Sequence, residues 1–267
     1  MGFLFLHLIY CYFEEGLVKK NPRLWELSLY LNIFFILFLT GITGFVIHRM
    51  GFEYIAWKLS PWKRGLVPSS TPRNRYLNKT SHFETLPDQK DEIIFLGDSL
   101  IEQARWDELF GIPHILNRGS GGDITGAMLW RLPEVTRRRP RKVFIMIGTN
   151  DLALLVKVSA ILDNYEKMIQ RIHTASPRTE IYIHSLLPVW GKWKGLRDNE
   201  HIREVNQKLL LLAKKHHCTY INLFSSFVDE NGELRKDLSF DGLHLNGKGY
   251  LLWKEKIGSY VIDNQEE

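Results

Sequence analysis

Glu92-Ile93-Ile94-Phe95-Leu96-Gly97-Asp98-Ser99-Leu100 is the stretch that decides the fold. Its unbroken apolar run from Ile93 to Leu96 reads as a strand covered on both faces, and Gly97-Asp98 marks the end where the chain must turn. Outward from it, comparable runs recur at residues 114–117, 142–148, 180–186 and 219–223, which with residues 92–97 makes five candidate strands. Amphipathic stretches lie between them, clearest at residues 159–174 and 200–215, where apolar side chains return every three or four positions. Alternation of this kind predicts βαβ units, hence an α/β domain over residues 91–265 with a mainly parallel sheet covered on both faces.

In open parallel sheets the reactive groups gather at the carboxyl ends of the strands. Three polar, glycine-bearing clusters fall there: Gly97-Asp98-Ser99-Leu100, Asn117-Arg118-Gly119-Ser120-Gly121-Gly122-Asp123 and Gly148-Thr149-Asn150-Asp151. A fourth, Asp241-Gly242-Leu243-His244-Leu245-Asn246, follows the last strand. A serine hydroxyl is a poor nucleophile near neutral pH and needs a base in contact with it and an orienting acid behind that base. Asp241 and His244 stand three residues apart, a spacing at which one turn sets a carboxylate against the imidazole. On this reading His244 takes the Ser99 proton while Asp241 holds the ring.

An attacked carbonyl also develops an oxyanion, which needs donors in place before reaction. Ser99, opening a helix, offers its backbone N–H; Gly119 lets the backbone approach and offers a second; the Asn150 amide offers a third. Taken singly, each has a plainer role. Gly119 and Gly121-Gly122 form turns, Asn150 and Asp151 cap helices, and an Asp-x-x-His pair is commonly a local cap or ion pair. Asp98 reads as structural, Arg118 and Asp123 are expected to border the pocket without an assigned role, and Trp190 and Trp193 either line a pocket or pack a loop.

The four clusters, in this order, resemble the GDSL or SGNH hydrolase superfamily. Longer matches extend the resemblance: Ile94-Phe95-Leu96-Gly97-Asp98-Ser99, Trp106-Asp107-Glu108-Leu109-Phe110, Gly121-Gly122-Asp123-Ile124-Thr125, Leu129-Trp130-Arg131-Leu132 and Leu243-His244-Leu245. These look like the platelet-activating-factor acetylhydrolase catalytic-subunit group and its bacterial relatives. The resemblance implies a three-layer α/β/α, flavodoxin-like sandwich with a five-stranded parallel sheet. It also implies a nucleophile at Ser99, oxyanion donors at Ser99, Gly119 and Asn150, an acid at Asp241, a base at His244, and no metal or organic cofactor.

Lys plus Arg number 35 against 30 Asp plus Glu, a net charge of +5 in 267 residues. Residues 1–90 hold 11 basic and 6 acidic side chains, so the whole excess lies there and residues 91–267 are neutral, with 24 of each. That distribution argues against a nucleic-acid partner for the main domain, and Arg137-Arg138-Arg139-Pro140-Arg141 reads as a solvated loop. Cys11 and Cys218 are too few for a disulfide framework and match no zinc spacing; His216-His217 has no companion at metal-ligand spacing.

Residues 27–47 are 21 consecutive uncharged positions, 15 of them apolar. At about 1.5 Å per residue they span roughly 30 Å, the hydrocarbon thickness of a bilayer, and predict a single transmembrane helix preceding the α/β domain. Residues 1–26 form an N-terminal segment whose apolar part, 3–13, is too short to span. Residues 48–90 read as juxtamembrane region and linker, with Pro61, Pro68, Pro72 and Pro87 interrupting any regular element. The basic flanks, three residues before the span and four after it, assign no side of the membrane.

Together these readings predict a membrane-anchored serine esterase acting on short acyl, above all acetyl, esters of a lipid or carbohydrate. An O-acyltransferase using the same site and a noncatalytic membrane-tethered module are the alternatives.

Overall fold

The computed structural model describes residues 71–195 and 197–262, with Tyr30, Ile33, Phe34, Leu37, Phe38, Thr40 and Gly41. The chain divides into two units, residues 1–56 and 57–267. Those seven residues of the first unit are helical and exposed. Most of the expected span 27–47 lies outside the described residues, and among the described residues no helix is long and apolar enough to cross a membrane.

In the second unit the elements run α1 (Thr71–Thr85), β1 (Ile93–Gly97), α2 (Ser99–Glu102), α3 (Trp106–Phe110), β2 (Ile115–Gly119), α4 (Thr125–Arg138), β3 (Lys142–Met146), α5 (Thr149–Ala153), α6 (Val158–Ala175), β4 (Glu180–His184), α7 (Asn199–Lys215), β5 (Thr219–Ile221), α8 (Phe224–Phe227) and α9 (Gly247–Val261). The five strands form one parallel sheet in the order β2-β1-β3-β4-β5. All five predicted runs contain strands; four are shortened by one or two residues, whereas β2 begins one residue later than expected and runs two residues further, to Gly119.

Period-two alternation divides the core between the two faces. Phe95, Phe144 and Tyr182 stand in register on β1, β3 and β4 and stack ring on ring, with centroids 4.8 and 4.5 Å apart. Trp106 of α3 stacks on Phe95 at 4.2 Å and meets Trp253 of α9 edge-on, closing that layer. The other layer rests on α4, α6 and α7; Ile161, Tyr165, Met168, Ile169 and Ile172 of α6 recur at helical spacing and are buried. The reversal of strand order between β2-β1 and β1-β3 makes a topological switch point at the carboxyl end of β1, and Ser99 stands just beyond it.

Residues 71–90 depart from expectation, because α1 lies inside the stretch 48–90 read as an irregular linker, whose residues 48–70 lie outside the described residues. Pro72 stands in its first turn, where no intrahelical N–H is required, and Pro87 follows its end, so neither proline breaks it. α1 shows no pronounced apolar stripe, and tertiary contacts hold it instead. The Tyr76 hydroxyl donates to the Ala127 carbonyl at 2.7 Å, Lys79 pairs with Glu102, and Phe83 is buried beneath the Arg118 guanidinium, 4.7 Å from its ring centroid. Just beyond the helix, Arg138 donates to the carbonyls of Leu86 and Pro87 at 2.8 and 3.0 Å and pairs with Glu92. Residues 71–90 therefore pack with the domain expected to begin at 91.

Candidate active site

Ser99 is the first residue of α2, directly after β1. Asp98 caps that helix by accepting the Leu100 N–H at 3.0 Å, which agrees with its structural reading. Full burial pushes the Asp98 carboxyl up to about 7. A side chain at Gly97 would lie 2.4 Å from the Met146 carbonyl, so glycine is what allows the chain to pass from β1 into α2 without leaving the sheet.

The Asp241–His244 turn is built by its own hydrogen bonds. Asp241 Oδ1 accepts the N–H groups of Leu243 and His244 at 2.9 and 2.8 Å. Gly242 sits at φ +86, and the Ser239 hydroxyl accepts its N–H while donating to the His244 carbonyl. The three-residue spacing thus closes on itself, leaving Asp241 Oδ2 against His244 Nδ1 at 2.8 Å. His244 Nε2 in turn lies 3.1 Å from Ser99 Oγ. Partial burial opposes the charge on Asp241, but the hydrogen bonds from His244 and from the two backbone N–H groups outweigh it, and its carboxyl is held down to about 2. An ionised carboxylate only accepts, so Nδ1 carries the ring proton and Nε2 presents a lone pair to the serine hydroxyl. The arrangement can accept the Ser99 proton and stabilise the imidazolium that results.

Asn150 lies in the first turn of α5, after Gly148 at φ +131. Its Nδ2 donates to the Asp123 carbonyl at 3.0 Å, and its Oδ1 accepts from Arg197 Nη2 at 2.9 Å. Asp151 beside it accepts the N–H and hydroxyl of Thr125 and so caps α4.

Gly119 differs from its expected role. Its N–H already donates to Asn117 Oδ1 at 2.8 Å, and a side chain there would lie 2.1 Å from the Glu102 backbone nitrogen. Strand alternation explains this: the next N–H, of Ser120, joins the Gly97 carbonyl inside the sheet, so that of Gly119 points away from β1. Gly119 is a close-packing glycine rather than a free donor. Gly121, read only as a turn former, is the glycine beside Ser99; a Cβ built on it would lie 3.8 Å from Ser99 Cβ.

Two arginines escaped the reading of roles. Arg131 donates to Asp123, to the Arg118 carbonyl and to the Gly97 carbonyl, at 2.7, 2.7 and 2.9 Å, and so ties α4 to the ends of β1 and β2. Arg197 joins Asn150 to the loop after β4. Trp190 and Trp193 pack against the Asp241–His244 turn: the Trp190 backbone N–H donates to the Gly242 carbonyl at 3.0 Å, and the Trp193 indole N–H to the Asp241 carbonyl at 2.8 Å. Arg118 points elsewhere, into a buried pair with Glu134.

A parallel α/β/α sandwich presenting this Ser–His–Asp chain at its strand ends defines a hydrolase acting on esters. The chain belongs to the GDSL-like lipase/acylhydrolase family, whose profile matches residues 95–252. It is similar to platelet-activating factor acetylhydrolase IB subunit alpha2 of Homo sapiens, 32% identical over 187 residues that cover 67% of this chain and 80% of that protein. Subunit alpha1 of Rattus norvegicus is 30% identical over 179 residues, covering 63% and 75%. Among solved structures, a Streptococcus pneumonia protein described as a candidate platelet activating factor superposes with a TM-score of 0.66 at 30% identity, covering 71% of this chain and 94% of that one.

Proposed function

We propose that the chain is a membrane-anchored serine esterase that removes short acyl groups, acetyl above all, from a lipid or carbohydrate ester. The observation that carries this reading is the relay of two contacts, 3.1 Å from Ser99 Oγ to His244 Nε2 and 2.8 Å from His244 Nδ1 to Asp241. Ser99 Oγ attacks the ester carbonyl carbon and its proton passes to His244 Nε2. The tetrahedral intermediate collapses, the C–O bond to the alcohol breaks, and the alcohol leaves with that proton. Water then attacks the acyl-enzyme, gives a proton to His244, and the Ser99 oxygen recovers it as the carboxylic acid departs. One ester and one water become one acid and one alcohol. Asp241 orients the imidazole throughout. The Ser99 N–H and the Asn150 amide stabilise the oxyanion, and the Gly121-Gly122 turn supplies the further donor in place of Gly119.

The acetyl preference is supported by the human and rat relatives, whose names give them as acetylhydrolases of platelet-activating factor. Membrane attachment is supported by the apolar run 27–47 and by the basic residues that flank it. Residues 1–26 precede the span, residues 48–70 join it to the folded part, and the esterase occupies residues 71–265.

Treatment of the detergent-solubilised full chain with a fluorophosphonate tests the nucleophile. A single adduct mapped to Ser99, and lost in His244→Ala, is expected; no adduct at Ser99 contradicts the reading. After a high-salt and carbonate wash the full chain is expected to stay with the membrane pellet, and recovery in the supernatant removes the anchor.

A further inference from the structure

We propose that Arg197 is a positioning residue that fixes the carboxamide of Asn150 in the orientation its oxyanion role requires, an inference that rests on the serine-esterase reading above. Arg197 is 6% exposed, at the end of the loop that follows β4. Its Nη2 donates to Asn150 Oδ1 at 2.9 Å and its Nε to the Thr149 carbonyl at 3.1 Å, so one edge of the guanidinium grips two neighbouring acceptors. On the far side Asn150 Nδ2 donates to the Asp123 carbonyl at 3.0 Å.

A primary amide offers one acceptor oxygen and two N–H bonds. Here the oxygen and one N–H are taken, and the second N–H remains for a substrate oxygen. Turning the carboxamide over would set its NH2 against the guanidinium, two donors facing, and its oxygen against the Asp123 carbonyl, two acceptors facing. Both hydrogen bonds would be lost in a partly buried site, so the pair of partners holds the remaining N–H in a single direction. Removing Arg197 deletes half of that preference and leaves the donor free to turn away, which lowers transition-state stabilisation without touching the substrate. A lysine cannot copy the grip, because one ammonium does not present two parallel N–H bonds in a fixed plane.

The same residue reaches toward the acid. Its guanidinium lies 4.9 Å from the centroid of the Trp193 ring, and the Trp193 indole N–H holds the Asp241 carbonyl at 2.8 Å. The loop after β4 therefore carries contacts to both the oxyanion side and the base side.

The test compares Arg197→Gln, Arg197→Lys, Asn150→Ala and the double variant R197Q/N150A in the full chain. The substrate is p-nitrophenyl acetate, with rates divided by the fluorophosphonate-titratable sites. Arg197→Gln is expected to lower kcat about 10- to 100-fold with KM within about two-fold, and Arg197→Lys to fall between it and the wild type. Asn150→Ala alone is expected to cost about 10²–10³ in kcat, and the double variant to be no slower than Asn150→Ala by more than about two-fold, because both changes remove one effect. An unchanged kcat in Arg197→Gln, losses that multiply in the double variant, or loss of the folding transition in both Arg197 variants would overturn the proposal. Wild-type kcat in Asn150→Ala overturns the oxyanion role and this inference with it, whereas wild-type turnover by Ser99→Ala overturns the esterase reading itself.

Discussion

The Tyr76 hydroxyl of α1 is bonded to the Ala127 carbonyl in the first turn of α4, at 2.7 Å, so a helix upstream of the family-matched region is fastened to the domain. Phe83 adds a buried ring to the same attachment, and the Leu86 and Pro87 carbonyls accept from the buried Arg138. A chain beginning at residue 88 loses all of these. It is expected to be about 2–4 kcal/mol less stable to urea than one beginning at residue 66, from one buried aromatic and several hydrogen bonds. Tyr76→Phe in the longer chain should cost about 1 kcal/mol. Equal urea midpoints for the two lengths contradict the attachment.

Buried carboxyls give stability a pH dependence whose sign follows from Asp98. An unfolded aspartate titrates near 3.9, while burial pushes Asp98 up to about 7 and Asp151 up to about 6. Between those values the folded chain holds protons that the unfolded chain has released, so these groups make stability fall as pH rises from about 4 to 7. Asp241, held down to about 2, acts in the opposite sense: its contribution is present above about 4 and is lost as pH falls toward 2, and its partial exposure keeps it small. Asp98→Asn keeps an acceptor for the Leu100 N–H and removes the titration. Its stability relative to the wild type should increase as pH rises from about 4 to 7. A difference that stays constant over that range contradicts the assignment.

Gly119 and Gly121 should respond differently to alanine. At Gly119 the new carbon meets the Glu102 backbone nitrogen at 2.1 Å, which cannot move without displacing α2, and a loss of about 1–3 kcal/mol is expected. At Gly121 the nearest atom is Glu102 Oε2 at 2.6 Å, the far end of a side chain that can swing aside. Gly121→Ala should therefore keep its urea midpoint and lose activity by narrowing the space beside Ser99. The reverse pattern would contradict the distinction between the two glycines.

Asp241→Asn preserves the size of the side chain and removes the charge that faces the imidazolium. Titrated against p-nitrophenyl acetate, it should lower kcat by about 10²–10⁴ while KM changes little. A kcat within a factor of about three of wild type would show that His244 needs no acid behind it.

The strands were legible because a parallel sheet buried on both faces demands continuous apolar runs, and residues 93–96 and 143–147 supply them without interruption. The contact between Asp241 and His244 was legible because the two close a local turn, and a local turn is encoded by spacing. α1 was hidden because its residues are mostly polar and its hold on the domain comes from partners far along the chain, such as Ala127 and Arg138. Gly119 was expected as a free donor because a Gly-rich cluster does not disclose which N–H is already engaged; the alternation of β2 decides that, and only the paired strand reveals it. Arg197 left no local signal, since its meaning lies in reaching Asn150 forty-seven positions away.

Hydrolysis of p-nitrophenyl acetate by the purified full chain, run beside its Ser99→Ala variant, tests the esterase assignment most directly. Turnover well above buffer in the wild type and none above buffer in Ser99→Ala is the expected result; equal rates in the two proteins would contradict it.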